Sequence, residues 1–189
     1  MTLWYVNRAA GLVSWALLSA SVIFGLLLSS KALGKKVRPN WIQDLHRGLS
    51  GLAVVFVGVH VAGAVGDNYL HFGWAESLVP FTSSWRPVAI AWGVVSMYLL
   101  VAVEASSLLR RHIPKRWWRG IHFASFPLFL TATAHGVTAG TEMGTTLGIA
   151  VAALVTATIA GLTTLRVLNE VEHSHQPPRP RIPANATPF

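Results

Sequence analysis

No cysteine occurs anywhere in the 189 residues. That absence excludes disulfides, thiolate metal sites and cysteine-held iron–sulfur clusters, and it leaves histidine, methionine and carboxylates as the side chains able to hold a metal. Charge is scarce as well. Asp, Glu, Lys and Arg make up 12% of the chain, about half the ~25% usual in soluble domains, whereas 52% is hydrophobic and the mean hydropathy is +0.49. Acidic residues are the rarer kind, 7 against 15 Lys and Arg, for a formal net charge of +8. A basic balance can mark nucleic-acid binding. Here, however, the basic residues stand in short clusters between apolar runs rather than along one polar face, so no nucleic acid is expected and the charge reads as membrane topology. Nor is there a G-x-G-x-x-G fingerprint in a strand–turn–helix setting, or a polar segment long enough for a nucleotide-binding fold.

What the chain does contain is five apolar runs, each close to the ~20 residues that a bilayer core requires. They lie between Arg8 and Lys31, Arg47 and Asp67, Arg86 and Glu104 (continuing to about Leu109), Arg119 and Glu142, and Glu142 and Arg166. The expected fold is an all-α integral membrane protein, a five-helix transmembrane bundle over residues 1–168, followed by a proline-rich flexible tail over 169–189. The first run lacks a small-residue cleavage site followed by a soluble domain and is read as a retained helix, not a signal peptide. "KALGKKVRP" and "RRHIPKRWWR", after the first and third runs, are rich in Lys and Arg, and the loop around "GTEMGTT" is acidic. The positive-inside rule therefore puts the N-terminus outside and the C-terminus in the cytoplasm of a plasma (inner) membrane. Trp4, Tyr5, Trp41, Trp74, Trp85, Trp117 and Trp118 fall near run ends, as interfacial anchors do.

Ionisable side chains are costly in hydrocarbon, yet the second run carries His46 and His60 and the fourth His122 and His135. One antiparallel helix separates these two runs, so they run parallel, and His46 lies at the depth of His122, His60 at the depth of His135. At ~1.5 Å per residue the two levels are ~20 Å apart, the arrangement needed to hold two flat macrocycles one above the other. A lone histidine in a membrane helix commonly hydrogen-bonds a neighbouring helix; four at two matched depths point to ligation. Zinc fits less well, because each level offers two imidazoles with no acid or cysteine beside them, whereas imidazole is a standard axial ligand of haem. The angles require one distortion. The fourteen positions of the second run return within ~40° of the starting face, but the thirteen of the fourth leave His135 ~140° away on an ideal helix. Pro127, lacking a backbone donor, marks the place for unwinding or a bulge.

With these pairs, the chain resembles the ferric reductase-like transmembrane domain shared by ferric reductases, NADPH oxidases and the haem-binding membrane subunit of the bacterial periplasmic methionine sulfoxide reductase system. "LWYVNRAAGLVSWALL", "DNYLHFG", "VPFTSSWRP", "SLLRRHIPKRWWRGIH" and "HGVTAGTE" look like its compact, especially actinobacterial, members. The resemblance covers about residues 3–145. It implies two stacked b-type haems, the inner ligated by His46 and His122, the outer by His60 and His135. Larger relatives add an N-terminal helix and a C-terminal flavin and nicotinamide domain; here the electron donor or acceptor is expected to be a separate flavoprotein or a quinone.

The expected function is a di-haem transmembrane electron conduit, the membrane subunit of an oxidoreductase, from a cytoplasmic or membrane donor to ferric iron, oxygen or a partner flavoprotein outside. A quinol-linked cytochrome b subunit and a haem-binding sensor or assembly subunit without turnover are the alternatives. Arg47 and Arg119 beside the inner ligands, and Arg8 and Arg86 near the outer ends of their helices, either hold haem propionates or anchor the helices at the interface. Phe56, Phe123 and Phe126 lie between the levels, along an electron path or simply in packing. His71, His112, His173 and His175 belong to loops and the tail. The basic loop "RRHIPKRWWR" suits anionic membrane lipid or an acidic donor.

Overall fold

Prolines and glycines punctuate the helices. A computed structural model describes residues 2–30, 39–67 and 72–175, and among these all regular structure is helical. The elements are α1 (Thr2–Ser30), α2 (Pro39–Gly66), α3 (Trp74–Leu78), α4 (Pro87–Leu108), α5 (Lys115–Phe123), α6 (Ser125–Ala139) and α7 (Thr146–His175). Pro39 and Pro87 open their helices, where a missing N–H costs nothing, and Gly66 and Gly140 stand at the ends of α2 and α6. Four helices are long and apolar enough to cross a membrane: Thr2–Ser30, Asn40–Gly66, Pro87–Leu108 and Thr146–Val171. The protein is thus a multi-pass membrane protein.

The fourth apolar run does not form one regular helix. It is divided at Ala124 into α5 of 9 residues and α6 of 15. The Ala124 N–H reaches Ile121 O at 2.9 Å, three residues back, so the chain is overwound there. Pro127 follows in the first turn of α6 and cannot supply the bond that a continuous helix would need from it. The discontinuity lies three residues before the proline.

Packing follows the logic of lipid rather than water. Large apolar side chains point outward at helical spacing, Leu52, Val55 and Val59 on α2 and Leu147, Val151 and Leu154 on α7. Small polar residues are buried between helices: Ser14, Ser19, Ser21, Ser96 and Ser106. They let backbones approach, and Ser14, Ser19, Ser96 and Ser106 donate to carbonyls three or four residues back on their own helix at 2.8–2.9 Å. The antiparallel pair α1/α2 is the most extensive contact, followed by α4/α6, with α7 laid against α1. The core joining them contains Leu18, Val22, Leu26, Leu100, Leu128, Phe129 and Ile159. Across it, Trp15 Nε1 donates to Thr133 Oγ1 at 3.0 Å, tying α1 to α6.

Candidate functional site

The four histidines of the second and fourth apolar runs meet in two pairs. His46 of α2 faces His122 of α5, and His60 of α2 faces His135 of α6; both pairs have ring centroids 6.1 Å apart, with interplanar angles of 76° and 77°. The break at Ala124 is what makes this register attainable, because the extra rotation of the overwound turn brings His135 back toward the face that carries His122.

Each imidazole is oriented from behind. His60 Nδ1 bonds Asn7 O at 2.9 Å, His135 Nδ1 bonds Ala89 O at 2.8 Å, and His46 Nδ1 bonds Ser21 O at 2.8 Å with Ser21 Oγ at 3.0 Å. A carbonyl oxygen only accepts, so Nδ1 carries the proton in these three bonds and Nε2 keeps its lone pair. His122 differs: its Nδ1 has Ser107 Oγ at 3.5 Å, and its ring stacks on Trp118 at 5.0 Å and 24°. The Arg110 guanidinium lies 4.3 Å from the Trp118 ring centre.

This donor set can be tested against a metal-centred group. A metal–nitrogen bond of about 2 Å and about 1 Å from ring nitrogen to ring centre, counted on both sides of one ion, put two centroids about 6 Å apart, which is the spacing of both pairs. Among the described residues no group of three or more His, Asp or Glu gathers anywhere. Among the described residues each level thus offers two imidazoles and no carboxylate, a donor set that would suit a metal bringing its other ligands with it, as haem iron does. Two buried polar atoms have no partner among the described residues: Oδ1 of Asn7, whose carbonyl accepts from His60, and Nε1 of Trp118, whose ring stacks on His122.

The arginines divide by end. Arg8 forms an ion pair with Glu142, with its guanidinium 3.9 Å from the Trp4 ring centre. Arg86 donates to Thr138 O at the end of α6 and lies over Trp85. Arg47, next to His46, and Arg119, three residues before His122, are exposed. Of the aromatic residues between the levels, Phe123 is on the surface, stacked on Phe126, and Phe126 packs against the core. The fully buried ring is Phe129, which sequence reasoning passed over, as it did the backing residues Asn7, Ser21, Ala89 and Ser107. His112 lies exposed in the turn before α5; His71, the side chains of His173 and His175, and residues 176–189 lie outside the described part.

The sequence profile of the ferric reductase like transmembrane component matches residues 10–133, about two thirds of the chain. The chain belongs to the ferric reductase-like transmembrane family. The matched stretch contains His46, His60 and His122 and stops two residues short of His135. Searches of curated proteins and of solved structures find no match. Membership in the ferric reductase-like family implies electron transfer in a membrane, and such domains generally bind haem and work with a separate redox domain or partner.

Proposed function

We propose that the protein is a di-haem membrane electron conduit in which His46 with His122, and His60 with His135, each hold one haem b within a bundle of five membrane-crossing segments, the broken α5–α6 pair being the fourth. The observation that supports this most directly is the equal 6.1 Å separation of the two pairs. Bound there, haem would supply reversible one-electron chemistry, and the four imidazoles are the residues that would hold it. The chain's own part is to orient the ligands. Nδ1–H bonds to Asn7, Ser21 and Ala89 carbonyls select the tautomer and turn each Nε2 toward its partner ring.

At the basic end, the Trp118 N–H is a buried donor with no partner among the described residues, suited to a carboxylate carried by a ligand. Arg47 and Arg119 supply positive charge at the same end. At the other end Arg8 and Arg86 fasten α1 and α4 to the α6–α7 region through Glu142 and Thr138. The basic clusters support a cytoplasmic Trp118 end, with the N-terminus outside and the C-terminus inside. Electrons then pass from a cytoplasmic or membrane donor, a flavoprotein or quinol, toward an acceptor outside.

Haem content and the reduced-minus-oxidised spectrum of the purified protein, with each histidine replaced by alanine in turn, test the reading. About two low-spin b haems per chain, with one lost per substitution, is the expected result. Absence of haem, or content unaffected by all four substitutions, overturns it.

A further inference from the structure

Behind three of the four imidazoles stands a glycine of the neighbouring helix. A Cβ added at Gly93 would lie 2.7 Å from His135 Nδ1, one at Gly11 2.9 Å from His60 Nδ1, and one at Gly25 3.2 Å from His46 Cε1. In each case the carbonyl that accepts the imidazole proton belongs to the residue four positions earlier: Ala89 for Gly93, Asn7 for Gly11, Ser21 for Gly25. That carbonyl is one turn back on the same face, the group a helix ordinarily shields with the side chain at the later position. Without a Cβ the ring can reach the backbone itself.

The spacing repeats across the molecule. Gly11 and Gly25 are fourteen apart on α1, as His60 and His46 are on antiparallel α2; on α4 the residue fourteen after Gly93 is Ser107, which faces His122. There the arrangement changes in kind. Ser107 Oγ donates to Val103 O at 2.8 Å, again four positions earlier, and so occupies the carbonyl and offers its own lone pair to His122 Nδ1 at the longer 3.5 Å. By contrast, a Cβ at Gly48, Gly51, Gly58, Gly120 or Gly161 would meet nothing within 4 Å.

We infer that Gly11, Gly25 and Gly93 are positioning residues that admit three of the histidines to the neighbouring helix backbone, and that Ser107 is their counterpart for His122, holding that ligand more weakly. The inference rests on the di-haem reading for its redox consequences but not for its tautomer consequence. A strong bond from Nδ1–H makes the imidazole a more basic ligand and favours ferric iron, so loosening it moves a haem midpoint upward.

The test compares Gly93→Ala, Gly25→Ala and Ser107→Ala with the controls Gly51→Ala and Gly161→Ala, reading haem per chain, the two midpoint potentials, and ring nitrogen NMR shifts of the haem-depleted protein. Gly93→Ala should lose one of the two haems and the Nδ1-protonated signature of His135. Gly25→Ala, where the crowding is smaller, should keep both haems and shift one midpoint upward. Ser107→Ala should shift that same midpoint and leave the other alone. The controls should match wild type. Unchanged occupancy, midpoints and ring shifts in Gly93→Ala overturn the inference; should that variant fail to accumulate, unchanged midpoints and His46 ring shifts in Gly25→Ala do so. Absence of haem from wild type overturns the proposed function instead, and the ring shifts then still decide whether the glycines set the tautomer.

Discussion

Replacing Pro127 by alanine asks what holds the break between α5 and α6. Proline disfavours a continuous helix there by about 3 kcal/mol, and alanine removes that penalty. A regular helix, however, would turn α6 by roughly 60° relative to α5, the extra rotation that one overwound turn of three residues supplies. Leu128 and Phe129, each 2% exposed, would leave the core. In lipid that forfeits packing rather than hydration, at a cost on the order of 2 kcal/mol for each void. The Trp15–Thr133 and His135–Ala89 bonds would break as well, at about 1 kcal/mol apiece. The losses are about twice the gain, so the break should survive. Pro127→Ala is expected to retain both of the proposed haems and to unfold in a detergent titration within about 1 kcal/mol of wild type. Selective loss of the haem proposed for His60 and His135 would refute the reasoning and show that the proline, not the core, maintains the register.

Three further outcomes follow from single contacts. Trp15→Phe and Thr133→Ala should each cost about 1 kcal/mol in the same titration, and the double variant less than their sum, because one hydrogen bond serves both; strict additivity would exclude the α1–α6 tie. Arg8→Gln and Glu142→Gln should show a coupling of about 0.5 kcal/mol in a double-mutant cycle, small because both side chains are partly exposed; a coupling of zero would mean that the pair does not fasten α1 to the α6–α7 loop. Arg86 has φ 45° in the left-handed region, so Arg86→Gly should be more stable than Arg86→Ala by about 1 kcal/mol, both having lost the bond to Thr138 O; equal stabilities would show that the backbone there is unstrained.

Much of the architecture was legible because lipid imposes a simple rule on composition. A segment that crosses hydrocarbon must be apolar over a fixed length, and α1, α2, α4 and α7 each satisfy it. The same rule made the histidines conspicuous, since a costly group kept at four places implies a use. The fourth run shows the limit of this reading. Spacing indicated that its helix had to depart from regularity, and Pro127 marked the neighbourhood, but the departure falls at Ala124, a residue that favours helix. The backing carbonyls were invisible for another reason. Every residue has a carbonyl, and nothing in the identities of Asn7, Ser21 or Ala89 distinguishes theirs. The fourteen-residue spacing of Gly11 with Gly25, matching that of His46 with His60, was the available signal.

The arginines illustrate the same division. Their positions near helix ends were plain, yet the end of the chain to which Arg8 and Arg86 are fastened was not, because Glu142 and Thr138 are more than fifty positions away from them in sequence. The sequence by itself determined that this is a membrane protein and that α1, α2, α4 and α7 are long and apolar enough to cross, and it singled out four histidines as candidate ligands. It could do so because these depend on composition, length and spacing along one chain. Only the tertiary structure decided which imidazoles face one another at 6.1 Å, which carbonyls orient them and where the fourth segment breaks. Those depend on how α1 packs on α2 and α4 on α6, where a missing Cβ or one overwound turn moves a ring by ångströms.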